Sequence, residues 1–160
     1  MKFSEMKYER PDLEAVKKQY TDLAARLGAS ASYEEARKVF VEEDTFSKHI
    51  ITLSTICEIR NSIDTRDEFY DAEKNFWNSA EPELMEYEKR WTETLLSSPF
   101  RKDFEKEFGK IIFTNAELEL KSFRPEIIPE LQRENELVQE YAKLIASARI
   151  PFMGEIYTVS

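Results

Sequence analysis

The sequence is most informative in what it lacks. There is one cysteine, Cys57, so no internal disulfide can form. There is one histidine, His49. A catalytic zinc site normally takes three protein ligands, often two of them histidines, and one His with one Cys eight positions away cannot supply that set. A cysteine nucleophile would also have no second histidine as its base. The three glycines, Gly28, Gly109 and Gly154, are scattered, so no glycine-rich loop can cradle a phosphate. No apolar run approaches the ~20 residues that span a bilayer. The first residues, MKFSEMKYERPD, lack the apolar core of a secretion signal. These absences suit a cytoplasmic protein without disulfides. Excess positive charge is missing as well. The net charge is −9 over 160 residues, which repels nucleic acid and an anionic membrane surface alike.

What is present is amphipathic helix. With 41% hydrophobic, 34% charged and 12% aromatic residues, the composition is that of a folded globular chain. Leu13, Val16, Tyr20, Leu23 and Leu27 recur at spacings of three and four, between Asp12 as cap and Gly28 as terminator. Ser32 and Glu35 form a capping box that opens a second helix running to about Ser62. Its stripe of Tyr33, Ala36, Phe40, Phe46, Ile50, Leu53 and Cys57 is flanked by a second, Ile56, Ile59 and Ile63. A helix apolar on more than one side is expected at the centre of a bundle. Thr65 and Glu68 read as the capping box of a third helix, with a kink or break expected between Ser79 and Pro82. Serine before proline in SSPF, Ser97 to Phe100, restarts a short helix carrying Phe100, Phe104 and Phe108 and closed by Gly109. A further helix runs to about Ser122. A last one starts near Pro129, with Leu131, Val138, Tyr141, Ile145 and Ala148 as its core stripe. The expected fold is all-α: a bundle of about six or seven antiparallel helices over residues 1–148, then a short β-hairpin over 149–160. In that hairpin Ile150, Phe152, Ile156, Tyr157 and Val159 surround a Met-Gly turn.

No active site is legible from residue chemistry. The acidic runs (Glu42, Glu43 and Asp44; Glu117 and Glu119; Glu130, Glu134 and Glu136) read as solvated helix faces, and no Glu-x-x-His is present for a di-iron site. Cys57 sits on the apolar stripe as a small hydrophobe, and His49 reads as a helix-surface residue. The most function-like stretch is EIRNSIDTRDEFYD, Glu58 to Asp71, which packs polar groups around an inter-helix turn. Arg60, Asn61, Asp64 and Thr65 are its candidate contact residues, although turn and capping chemistry accounts for Asn61, Asp64 and Thr65.

The same stretch, as IRNSIDTRDEFYDAEKNFW, together with the opening MKFSEMKYERPD and the final FRPEIIPELQRENELVQEYAKLIASARIPFMGEIYTVS, resembles the N-terminal region of oligoendopeptidase F-like enzymes. These belong to the thimet oligopeptidase superfamily of zinc metallopeptidases. The resemblance implies a helical, non-catalytic N-terminal domain that forms part of the wall of a channel admitting oligopeptide substrates. It also implies a larger catalytic domain, in which a His-Glu-x-x-His helix and a downstream glutamate hold zinc. Here His49 is followed by Ile50 and no second histidine exists, so no catalytic or metal-binding residue carries over and the chain itself is expected to hold no zinc. The partner so implied is a catalytic domain outside this chain, and the apolar surface it leaves uncovered would favour self-association. The competing reading is a stand-alone helical protein-interaction module without enzymatic activity. A hairpin of two strands is marginal alone. The tail Ile150 to Ser160 is therefore expected to pack on the helices, to pair with another copy or to be poorly ordered, as the first piece of a connection into the absent domain.

Overall fold

The computed structural model describes residues 2–158, so Val159 and Ser160 of the expected hairpin lie outside the described residues. Within that range the chain is an all-α bundle of six helices followed by two short strands. Helix α1 spans Leu13–Gly28, α2 Tyr33–Ile63, α3 Glu68–Leu96, α4 Arg101–Phe108, α5 Lys110–Ser122 and α6 Ile128–Ala146. Strands β1 (Arg149–Phe152) and β2 (Glu155–Thr158) pair antiparallel, with Ile150 opposite Tyr157. Their turn has positive φ at both Met153 (51°) and Gly154 (88°), the geometry whose twist matches that of a hairpin.

Side-chain caps start α1 and α2 where the pattern placed them. The Asp12 carboxylate accepts from the Glu14 and Ala15 amides at 3.0 and 3.2 Å, and Ser32 Oγ accepts from the Glu35 amide at 3.3 Å. The Glu35 carboxylate reaches back one residue further than a capping box requires, to the Ala31 amide. Helix α3 differs more. Its cap is Asp67, which accepts from the Phe69 and Tyr70 amides, so the Thr65–Glu68 box does not form. Gly28 ends α1 from inside the helix, without the left-handed conformation that Gly109 adopts (φ 90°) between α4 and α5. Pro99 falls in the turn before α4 rather than in its first turn.

Two apolar clusters form the core. One joins Leu23, Leu27, Val39, Trp91, Phe104 and Phe113; the other joins Val16, Tyr20, Leu53, Cys57, Trp77 and Leu84. The central element is α3, which packs against α1, α2, α5 and α6, and not α2 as the double stripe suggested. On α2 the second stripe buries only Ile56. Ile59 is 39% exposed and Ile63 72%, because no helix covers that face within the described residues.

Pro82 does not break α3, which runs unbroken past it. A proline at this position leaves the Asn78 carbonyl without its helical donor. Helix α6 supplies one: Asn135 Nδ2 donates to Asn78 O at 3.2 Å, and Gln132 Nε2 donates to the neighbouring Ser79 O at 2.9 Å. Further along, the buried Asn78 amide donates to Gln139 Oε1, Gln139 Nε2 donates to Asp71 Oδ1 at 2.8 Å, and Lys143 pairs with the same carboxylate. Gln132, Asn135, Gln139 and Lys143 recur at three and four, so they share one helix face.

That arrangement inverts the expectation for α6. The polar face is turned inward, and most of the stripe assigned to the core points out: Val138 is 61% exposed, Tyr141 66% and Ile145 40%, with Leu137 and Leu144 beside them also exposed. Both strands of the hairpin are exposed along their length.

Candidate functional site

The polar stretch between α2 and α3 is built in three layers. One is a clamp on the N-terminal segment. Glu73, in α3, accepts from Tyr8 Oη at 2.6 Å and from Arg10 Nε and Nη2 at 2.9 and 2.7 Å, while Trp77 Nε1 donates to Tyr8 Oη at 3.0 Å. The Arg10 guanidinium holds the Glu73 carboxyl below its ordinary range even though Glu73 is buried. Arg60 belongs to this clamp. Its Nη2 donates to Met6 O at 2.5 Å, its Nη1 to the Tyr70 hydroxyl, and its guanidinium lies over the Phe3 and Tyr70 rings.

The middle layer is Asn61, one turn from Cys57 and buried like it. Its Nδ2 is the one buried side-chain polar atom without a hydrogen-bond partner among the described residues. Burial pushes the Cys57 thiol up to about 11, so it stays protonated at neutral pH and is no nucleophile.

The outer layer is the turn itself. Asp64 accepts from the amide and the Nε of Arg66, at 3.1 and 3.0 Å, and that partner keeps its carboxyl below the usual range. Asp64, Thr65 and Arg66 line a cleft of about 290 Å3 together with Ser62 on α2 and with Arg149 and Thr158 at the base of the hairpin. Of the four residues singled out from sequence, Asp64 and Thr65 thus meet in one cleft, whereas Arg60 and Asn61 lie in the last turns of α2 and line none of it. Arg149 and Thr158 were not anticipated. They come from the far end of the chain, and only the fold brings them to the turn.

The donor set does not fit a zinc ion. Among the described residues no three His, Cys, Asp or Glu side chains are placed to share a metal, and His49 is exposed on α2. No helix among them is long and apolar enough to cross a membrane. One group of carboxyls, away from the turn, is raised rather than lowered. Burial, with Asp44 and Glu88 close by, pushes Glu43 up to about 7, and Glu88 is raised likewise by its surroundings and by Glu81 and Glu119.

Residues 3–123 match the peptidase M3 N-terminal domain family. The chain belongs to that family. Three solved structures superpose on nearly all of it. One provisionally described as an oligoendopeptidase F gives 38% identity and a TM-score of 0.94 over 99% of this chain. PZ peptidase A, solved with an inhibitor, gives 40% and 0.93 over 98%. Another provisional oligoendopeptidase F, from Bacillus anthracis, gives 34% and 0.94 over 99%. The chain spans only 28%, 28% and 29% of those three proteins' own lengths. No curated protein sequence matches it. The family match ends at the close of α5, yet the superposition continues through α6 and the hairpin, so the inverted helix belongs to the shared structure.

Proposed function

We propose that this chain is the non-catalytic N-terminal domain of a cytoplasmic zinc metallo-oligoendopeptidase, and that it forms part of the wall of the channel through which oligopeptides reach a catalytic domain outside the chain. The supporting observation is the disproportion in coverage: nearly all of this chain superposes on peptidases of which it makes up little more than a quarter. Zinc, in this reading, is held by the catalytic domain, since the described residues here do not fit it. The domain's own part is steric and electrostatic. It holds a rigid wall, and at the α2–α3 turn Asp64 and Thr65 face the peptide while Arg60 and Asn61 fix the turn from behind. The outward apolar face of α6 and the hairpin dock on the catalytic domain, which also accounts for side chains that would otherwise sit in water.

The reading frame beyond Ser160 tests this most directly. Continuation for several hundred codons through a His-Glu-x-x-His sequence is the expected result. A stop codon there, or a long continuation without that sequence, overturns the proposal and favours a free-standing interaction module.

A further inference from the structure

Residues 2–11 lie over the end of α2 and the first turns of α3, and they are held there by side chains alone. Among the described residues, the backbone–backbone bonds of this stretch stay within it, Glu5 N to Lys2 O and Met6 N to Phe3 O. None of residues 2–11 is fully buried, so little apolar area fastens them. Three anchors do. Arg60 donates to Met6 O and lies over the Phe3 ring. Tyr8 sets its ring edge-on to Phe69 and Tyr70, at 6.2 and 5.9 Å, and its hydroxyl between Glu73 and Trp77. Arg10 grips Glu73 with two nitrogens, over the Phe76 ring at 4.8 Å.

Two of the three anchors end on one carboxylate. Glu73 is buried, and its donors among the described residues are Tyr8 and Arg10, both on the segment. Groups that share an acceptor act together, so the anchors let go together. Letting go strips a buried carboxylate of every donor, a cost that keeps the segment closed. Beneath it lie Trp77 and Cys57, 2% and 0% exposed, with the Tyr8 hydroxyl beside the Cys57 thiol. The third anchor reaches further. The Arg60 guanidinium that holds Met6 O also donates to the Tyr70 hydroxyl. Arg60 stands in the last turn of α2 and Tyr70 at the start of α3, so the pair brackets the turn that carries Asp64 and Thr65.

We infer that residues 3–10 form a strap with Glu73 as its catch, which lifts as a unit without unfolding the bundle and, when closed, fixes the α2–α3 turn through Arg60 and Tyr70. A segment fastened by a few side-chain bonds and little buried area belongs to the low-stability end of a structure, where local opening precedes global unfolding. What the strap does for peptide binding rests on the channel-wall reading: Asp64 and Thr65 are presented in one geometry while it is closed, and in many when it is lifted.

The test uses the 160-residue chain, in which Cys57 is the single thiol and so reports the opening without ambiguity. Its rate of labelling by dithiobis(nitrobenzoate) is measured in native buffer. Arg10→Gln and Tyr8→Phe should each label roughly 10-fold faster than the unaltered chain, because each removes a donor from the catch. Arg26→Gln breaks a comparably exposed ion pair, with Glu42 at the far end of α1, and should label at the unaltered rate. In all four proteins the rate should be nearly flat in urea below the unfolding transition, since lifting a strap exposes little surface. Hydrogen exchange in the two strap variants should show the Phe69 and Tyr70 amides, which are capped by Asp67, losing protection while those of α4 keep theirs. Labelling unchanged in both strap variants, or labelling that follows the full urea dependence of unfolding, would overturn the strap. Faster labelling with the Phe69 and Tyr70 amides still protected would overturn its hold on the turn. Each of those results leaves the reading-frame test of the parent enzyme untouched.

Discussion

In the body formed by α1 to α5, apolar side chains meet in the interior and charges face water. Tyr20, Leu23, Trp77, Phe104 and Phe113 are each 2% exposed or less. In α6 the assignment is reversed. Neither apolar cluster takes a side chain from it, its inner face is a row of amides and a lysine, and its apolar residues look outward. The two regions adjoin along α3 and obey the same physics, so the difference lies in what each surface is for. Apolar burial is non-directional and scales with area, about 25 cal/mol per Å2, which makes it the main source of stability. A buried hydrogen bond adds only ~1 kcal/mol net, but breaking it leaves an orphan that costs as much or more. A polar seam therefore contributes little to cohesion and a great deal to register. It fixes α6 at one rotation and one height on α3, and that leaves most of the apolar stripe free for another surface.

The contrast is broken most severely from the body's side. Phe104 has no exposed surface and makes ring contacts with Tyr33, Phe40, Phe108 and Phe113. Phe104→Ala should cost about 3–5 kcal/mol, as for other large-to-small changes in a packed core. Chemical denaturation followed by far-UV circular dichroism reads this directly. A loss under 1 kcal/mol would mean that the cluster is not a packed core.

The seam should respond less, and differently. Asn78→Ala removes the donor to Gln139 Oε1 and leaves that oxygen buried, for an expected loss of about 2 kcal/mol. Hydrogen exchange discriminates here, because the amides of α6 should lose protection while those of α1 and α4 keep theirs. Uniform loss of protection would show α6 to be an integral part of the core.

The body was legible in the sequence and the seam was not, for one reason. Periodicity reveals which residues share a helix face; it does not reveal which face turns inward. For α1 the single apolar stripe from Leu13 to Leu27 had one place to go. For α6 the stripe of Val138, Tyr141 and Ile145 was equally clear, and it was assigned to a core that does not receive it. The signal lay in Pro82, which the sequence reading took only as a kink or break. A proline inside a long helix frees a carbonyl, the freed carbonyl asks for a donor, and Gln132, Asn135 and Gln139 at helical spacing are the amides that answer or extend it. The candidate site shows the same limit. Asp64 and Thr65 could be found because the turn is local. Arg149 and Thr158, which complete their cleft, could not, since about 80 residues of chain separate them from it. Arg60 looked like a binding residue because a loop arginine usually faces solvent, whereas here the N-terminal segment folds back over it.

The smallest effect on stability belongs to the outer face of α6, and it is the sharpest test of the comparison. Leu144 is 67% exposed and Val138 61%. Replacing both with serine removes apolar surface that the fold does not bury, so the isolated chain should change by no more than ~0.5 kcal/mol, as at other surface positions. Its tendency to associate should fall, because a contiguous apolar patch is what drives association between copies. Sedimentation velocity over a concentration series measures the second effect and denaturation the first. A loss above ~2 kcal/mol with no change in association would show that the stripe already packs within this chain and would remove the reason for expecting a further domain to cover it. The opposite pair of results, unchanged stability with reduced association, is what a reserved docking face requires. In the full-length protein the same substitutions should then destabilise, by the roughly 1.5–3 kcal/mol that burying each leucine-sized side chain contributes.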